Sequence, residues 1–120
     1  MGRGVARQAR DRFPGLDYSL GCYILEYGNR VFDLGMITSE PGYGARIVSF
    51  PVKHNWWEPA DPLLIVQSAQ QLVELADKRL WRAIVLPRPG CGNGHLHWQD
   101  VERLLVHVLD DRFTVLEYEG

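Results

Sequence analysis

Cysteine is scarce in this chain, and its cysteines do not form a redox or metal-binding motif. Only two of the 120 residues are cysteine, Cys22 and Cys91, and no C-x-x-C pair is present. A disulfide between them is one interpretation, but so few and so widely separated cysteines favour a reduced protein. The sequence therefore predicts a cytoplasmic location.

The sequence also lacks a long hydrophobic run and a strong excess of charge. No apolar stretch approaches the roughly 20 residues that a membrane span requires, and the first residues are charged and glycine-rich, unlike a secretory signal. The net charge is −2, with 46% hydrophobic and 23% charged residues, so no general attraction to nucleic acid or acidic lipid is expected. We predict a single globular domain over residues 1–120 without a membrane partner.

The hydrophobic periodicity predicts an alternation of helices and strands. We expect helices over 5–13, 62–79 and 98–110, and strands over 21–27, 30–34, 45–50, 83–86 and 113–118. Gly28-Asn29 is predicted to turn the first two strands into a hairpin, while Asp61 and Pro62 suit the N-cap and first position of the second helix. This order predicts an α/β sandwich with a mixed sheet.

The most distinctive stretch is Leu86–Trp98, LPRPGCGNGHLHW, between a predicted buried strand and a predicted helix. Gly90, Gly92 and Gly94 fall within five residues. A glycine loop between a strand and a helix presents backbone N–H groups to an anion, usually a phosphate. The loop matches neither GxGxxG nor GxxxxGK[ST], so by itself it indicates an anion without identifying it.

A second loop, residues 51–60, also follows a predicted buried strand, and we expect the two loops to open on the same edge of the sheet. It carries Lys53, which would suit a phosphate-facing cation or a nucleophile, although a surface lysine is the simpler interpretation. Trp56 and Trp57 could stack on a base, or one of them could cover the core.

A metal site or a cysteine nucleophile could be read from three neighbouring residues, Cys91, His95 and His97. Neither interpretation is favoured. The pattern C-x₃-H-x-H matches no common zinc spacing and offers no fourth ligand. Cys91 could act as a nucleophile with His95 as its base, but a small residue packed under the glycines is favoured. We therefore predict no metal and no cofactor.

Three segments together resemble the macro domain family, an ADP-ribose-binding α/β module. Met1–Pro14 (MGRGVARQARDRFP) is similar to the family's MGKG[IL]ALQFKxxFP, and Ser49–Trp56 (SFPVKHNW) to its FPTKxxW. Leu86–Trp98 is similar to its PPLGCGNGGLDW loop. The resemblance lies nearest to the branch of DNA ADP-ribosyl glycohydrolase antitoxins and terminal ADP-ribose glycohydrolases.

This resemblance implies a three-layer macro-type sandwich and a role for each segment. Lys53 would attack or polarise the anomeric C1″ of ADP-ribose and release it from nucleic acid or protein; a non-catalytic reader and a degenerate structural domain are the alternatives. Possible substrate contacts are His54, Asn55 and Trp56. The implied ADP-ribose-binding residues are Gly2, Arg3, Gly4, Val5, Gly90, Cys91, Gly92, Asn93 and Gly94.

The chain departs from the family pattern in three ways. The strands that precede MGKG in the family, with an asparagine-bearing loop and an adenine-contacting acidic residue, have no counterpart before Met1. We expect this N-terminal truncation to be met by a rearranged sheet, by a homodimer that covers the sheet edge, or by a true start further upstream. Gly94 replaces the aspartate of the terminal glycohydrolases, as in the antitoxin branch. Arg3 replaces a lysine, and His97 replaces a helix-capping aspartate.

Overall fold

A computed structural model of the chain describes residues 24, 26–36, 46–55, 57–92 and 94–116. The chain divides into two compact units, Met1–Phe50 and Pro51–Gly120. The predicted helix over 5–13 lies outside the described residues.

The first unit contains an antiparallel pair of short strands, β1 (Asp33–Met36) and β2 (Arg46–Val48). The register shifts between Asp33 and Gly35, where Gly35 takes φ +101°, a conformation suited to a residue without a Cβ. Arg46 Nε lies 2.9 Å from Asp33 Oδ2 and ties the two strands together. β1 begins later than the predicted strand over 30–34, because the N–H of Phe32 donates to the Ser49 hydroxyl at 2.8 Å and not to a strand carbonyl.

The predicted strand over 21–27 is wrong where the structure describes it, and so is its predicted hairpin with 30–34. Ile24, Glu26 and Tyr27 are helical, and Gly28 donates its N–H to the Ile24 carbonyl at 2.8 Å, the i to i−4 bond of an α-helical turn. Gly28 has φ +88°, so this glycine ends a helical turn instead of turning a hairpin. The partner of β1 is β2, which the predicted strand over 45–50 contains.

The second unit is built on a parallel pair, β3 (Ile84–Pro87) and β4 (Phe113–Leu116). Helix α1 (Pro62–Arg79) precedes β3, and helix α2 (Trp98–Leu105) connects β3 to β4. These elements confirm the predicted helix over 62–79, the strand over 83–86 and the strand–helix–strand order that follows. The predicted helix over 98–110 is shorter than expected, because turns replace it from residue 106.

The core of the second unit forms around one face of α1. Its buried apolar residues recur at helical spacing, so one stripe of the helix turns inward. They are joined by buried residues of β3 and α2. The set is Leu64, Ile65, Ala69, Leu72, Ala76, Leu86, Val101 and Leu105.

The N-terminus of α1 is capped as predicted. Asp61 Oδ1 accepts a hydrogen bond from the Leu63 N–H at 3.0 Å, and Pro62 occupies the first helical position. None of the helices in the described ranges is long and apolar enough to cross a membrane.

An arginine joins the end of α1 to the turn before β4. Arg112 Nη1 lies 2.9 Å from Asp77 Oδ1, and Arg112 Nη2 lies 2.6 Å from Asp110 Oδ2. The Arg112 carbonyl accepts the N–H of Ile84, the first residue of β3, at 2.9 Å. The side-chain hydrogen bond from Arg112, followed by its backbone N–H, lowers the pKa of the Asp110 carboxyl.

The Asp110–Arg112 ion pair predicts that the folded chain loses stability in acid. Because the pKa of Asp110 is lower in the folded chain than its unfolded value near 4, its contribution is present above pH about 4 and disappears as the pH falls through the folded pKa. Asp110→Asn should lower the denaturant midpoint at pH 7, and its difference from wild type should shrink toward pH 3. Asp111→Asn is the control, since it removes the same charge and keeps the Asp110–Arg112 pair. A difference that does not change with pH would contradict the prediction.

Candidate functional site

The glycine-rich loop after β3 is closed by its own backbone. The N–H of Leu96 donates to the Gly90 carbonyl at 3.0 Å, and the N–H of His95 donates to the Gly92 carbonyl at 3.1 Å. At the start of the loop, the N–H of Cys91 donates to the Arg88 carbonyl at 3.3 Å. These bonds hold the loop in a compact turn between Arg88 and Leu96.

Two of the three glycines are required by packing. A Cβ on Gly90 would lie 2.8 Å from Ile65 Cδ1 and 2.9 Å from Ala60 Cβ, and Gly90 also has φ +74°. A Cβ on Gly94 would lie 2.7 Å from Ala60 Cβ and would collide with the Gly90 carbonyl oxygen. Both positions therefore exclude a side chain for reasons internal to the fold.

Gly92 differs from the other two glycines. A Cβ there would meet no atom of the described residues within 4 Å, its φ is not in the left-handed region, and the residue is exposed. Neither space nor backbone conformation in this part of the chain demands glycine at this position. What the missing side chain does provide is an open backbone that a ligand can approach closely.

The loop that carries Lys53 is fastened at its start to helix α1. Ser68, which is 1% exposed, donates its hydroxyl to the Pro51 carbonyl at 2.7 Å. The N–H of Asp61 donates to the Val52 carbonyl at 2.8 Å. The residue that follows these two anchored carbonyls is Lys53, which is half-buried.

The middle of the same loop is held by side chains. The Asp61 carboxylate accepts a hydrogen bond through Oδ2 from His54 Nε2 at 2.8 Å. Asn55 Nδ2 donates to Glu58 Oε1, and the Glu58 N–H donates to the Asn55 carbonyl at 3.1 Å. The loop is therefore held by hydrogen bonds on both sides of Lys53.

A backbone hydrogen bond joins the lysine loop to the glycine loop. The N–H of Ala60 donates to the Gly94 carbonyl at 3.1 Å. Ala60 is 5% exposed, and its methyl group fills the space left open at Gly90 and Gly94. These ends of the two loops therefore lie together, as predicted. In the described residues, however, the strands that precede the loops, β2 and β3, belong to separate two-stranded sheets, so the contact does not come from a shared sheet edge.

The surroundings of Cys91 argue against a nucleophile. Its thiol is half-buried and donates to the Pro89 carbonyl at 3.4 Å. Burial raises the pKa of this thiol, and the nearby Arg88 opposes the shift without cancelling it. A thiol that stays protonated at neutral pH is a poor nucleophile. Among the described residues, no group of three His, Cys, Asp or Glu side chains could hold a metal.

The remaining predicted site residues divide into described and undescribed ones. His97 is the N-cap residue of α2, where its side chain makes no capping bond, while Asp100 lies in the first turn. Trp57 is 67% exposed and does not cover the core. Six predicted positions lie outside the described residues: Gly2, Arg3, Gly4, Val5, Trp56 and Asn93.

Two residues that organise the site went unnoticed in the sequence. Ser68 is a polar residue in the apolar stripe of α1, between Ile65 and Leu72, and that position is the signal that marks it. Ala60 carries no such signal, because its contact with Gly94 joins parts of the chain that are far apart in sequence.

Residues 1–105 match the sequence model of the macro domain. The chain belongs to the macro domain family. A DNA ADP-ribosyl glycohydrolase of Thermus aquaticus is 31% identical over 116 residues, which is 92% of this chain and 31% of that protein. One of Mycobacterium tuberculosis is 31% identical over 111 residues, which is 88% of this chain and 30% of that protein. This macro chain thus spans about a third of the length of the curated relatives it matches.

Solved structures show the same fold. The macrodomain of M. tuberculosis DarG superimposes with a TM-score of 0.80 at 24% identity, covering 100% of this chain and 81% of that one. The macrodomain of T. aquaticus DarG gives 0.75 at 29% identity, with 100% and 82% covered. Thermosipho africanus DarTG, in complex with ADP-ribose, gives 0.81 at 19% identity, with 98% and 34% covered. The α/β macro-type fold predicted from the sequence is confirmed.

Proposed function

We propose that this macro domain binds ADP-ribose and hydrolyses ADP-ribosyl linkages on nucleic acid or protein, with Lys53 acting at the anomeric carbon. The observation that carries the proposal is the bond between Ala60 and Gly94, 3.1 Å long, which joins the glycine loop to the loop that bears Lys53. An anion-binding backbone and a lysine amine are thereby carried on one connected piece of structure.

The glycine loop suits the diphosphate and distal ribose of ADP-ribose. Backbone N–H groups of a glycine turn bind phosphate oxygens without bringing a charge of their own. The open backbone at Gly92 supplies the close approach that this requires. The likeness to a DarTG structure that contains ADP-ribose supports the same ligand.

The reaction needs one water and one displaced acceptor. The bond between C1″ and the acceptor breaks, water adds its hydroxyl to C1″, and the acceptor leaves with the proton. Lys53 would contribute either as a nucleophile, forming a C1″–N bond that water later replaces, or as a cation that stabilises the departing charge. The names of the curated relatives, DNA ADP-ribosyl glycohydrolases, support a linkage on DNA.

The alternatives are a reader that binds without cleaving and a domain with a structural role. Titration calorimetry of the wild-type chain with ADP-ribose, together with chromatographic detection of ADP-ribose released from an ADP-ribosylated oligonucleotide and an ADP-ribosylated protein, separates them. We expect binding and release. Binding without release from either substrate would favour the reader, and the absence of both would favour the structural role. The homodimer and the cytoplasmic location stay predictions.

A further inference from the structure

We propose that Asp61 and His54 are positioning residues that hold Lys53 where its amine can reach the anomeric carbon. Asp61 bonds to both chain neighbours of the lysine, Val52 and His54, and these two bonds together form a clasp. This inference rests on the proposed function. It assigns His54 a role different from the substrate contact that the sequence suggested.

The clasp is formed by one residue that contacts both sides of Lys53. The Asp61 N–H donates to the carbonyl of Val52, the residue before Lys53, at 2.8 Å. The Asp61 carboxylate accepts from the side chain of His54, the residue after Lys53, at 2.8 Å. The lysine is therefore bracketed by two bonds that converge on a single residue.

Asp61 is itself fixed to the most regular element of the second unit. Its Oδ1 accepts from the Leu63 N–H at 3.0 Å, and its carbonyl accepts from the Ile65 N–H at 3.0 Å. Both bonds belong to the first turn of α1, an 18-residue helix. Because Asp61 is held by the first turn of α1, its bonds to Val52 and His54 restrain the backbone on both sides of Lys53.

The charge state of Asp61 agrees with this arrangement. The hydrogen bond from His54, followed by the one from the Leu63 N–H, lowers the pKa of the Asp61 carboxyl. The group is therefore ionised at neutral pH and serves as an acceptor toward both partners at once.

Stability alone does not account for the His54–Asp61 bond. The two side chains are 57% and 37% exposed, and polar bonds between exposed side chains contribute little to folding. A lysine that must reach one carbon atom is sensitive to placement, because an error of about 1 Å can cost roughly 100-fold in rate. The bond should therefore affect the reaction more than the folding.

The test compares His54→Ala, His54→Gln and Asp61→Ser in the full chain. His54→Ala removes the donor, whereas His54→Gln retains an N–H that can reach the carboxylate. Asp61→Ser keeps a helix-capping oxygen but is too short to reach His54. His107→Ala, an exposed histidine in the turns after α2, is the matched control.

We expect His54→Ala to lower kcat for release of ADP-ribose from an ADP-ribosylated oligonucleotide about 10- to 100-fold. KM and the Kd for ADP-ribose should stay within about twofold of wild type, with an unchanged melting temperature. His54→Gln should recover most of kcat. Asp61→Ser should match His54→Ala, and the double variant should be no worse than either single one, as expected for two parts of one contact.

Three results would overturn the proposal. A raised KM and Kd with unchanged kcat in His54→Ala would make His54 a substrate contact, and an unchanged kcat and KM would remove it from the reaction. A wild-type chain that releases ADP-ribose from neither the oligonucleotide nor an ADP-ribosylated protein would overturn the proposed function and the positioning role together. Active wild type beside an unaffected His54→Ala would overturn the positioning role alone.

Discussion

Lys53→Ala is expected to stop the release of ADP-ribose while leaving the binding of ADP-ribose almost unchanged. The glycine loop would bind the diphosphate through backbone groups that this substitution does not touch, whereas the lysine amine is assigned to the anomeric carbon. Loss of such a group costs about 10²- to 10⁴-fold in rate. Titration calorimetry with ADP-ribose and single-turnover release from an ADP-ribosylated oligonucleotide measure the two effects separately.

The chain provides its own control for this experiment. Lys53 and Lys78 are its only lysines, and Lys78 is exposed in the last turn of α1. Lys78→Ala removes the same charge and should leave both binding and release at the wild-type level. Equal release from Lys53→Ala and wild type would contradict the assigned role.

Lys53→Arg distinguishes the two ways in which the lysine could act. Arginine keeps the positive charge but is always protonated and offers no nucleophilic amine. Partial activity of Lys53→Arg would favour stabilisation of charge at the leaving group. Loss of activity equal to that of Lys53→Ala would favour attack on C1″.

The sequence predicted the elements that carry strong, local signals. The bounds of α1 followed from 18 residues of consistent helical spacing with Asp61 and Pro62 at the start. The strand predicted before Gly28 was wrong, because aromatic and branched residues over seven positions suit a strand and a helix alike, and glycine can end either one. Local patterning therefore identified the long helix and misassigned the short segment.

The site shows the same division between local and distant information. Its glycines were visible because they are close together in the sequence, but which of them the fold requires depends on Ala60 and Ile65, which lie about 30 residues away along the chain. Asp61 was predicted as a cap from its neighbour Pro62. Its bond to His54 depends on how the loop between them folds, and composition does not encode that path. Contacts of this kind emerge only in three dimensions.

Gly94→Ala should unfold the glycine loop and thereby weaken the binding of ADP-ribose. The added Cβ would lie 2.7 Å from Ala60 Cβ and would collide with the Gly90 carbonyl oxygen, which accepts the Leu96 N–H and closes the loop. Overpacking of this kind costs roughly 1–3 kcal/mol of stability. We expect a loss of that size in urea unfolding, and at least about a tenfold weaker Kd for ADP-ribose, equivalent to about 1.4 kcal/mol.

Gly92→Ala is the matched variant, since its Cβ would meet nothing in the described chain within 4 Å. Its stability should equal that of wild type, so any weakening of ADP-ribose binding would report contact between the ligand and the open backbone.

Adding Ala60→Gly to Gly94→Ala should fail to restore stability, because the collision with the Gly90 carbonyl remains when the Ala60 methyl group is removed. Full rescue by Ala60→Gly would show that the side-chain contact, and not the loop backbone, makes glycine necessary at position 94. Gly94→Ala with wild-type stability would contradict the packing argument itself, since the loop would then have room that the contacts among Gly90, Ala60 and Gly94 exclude.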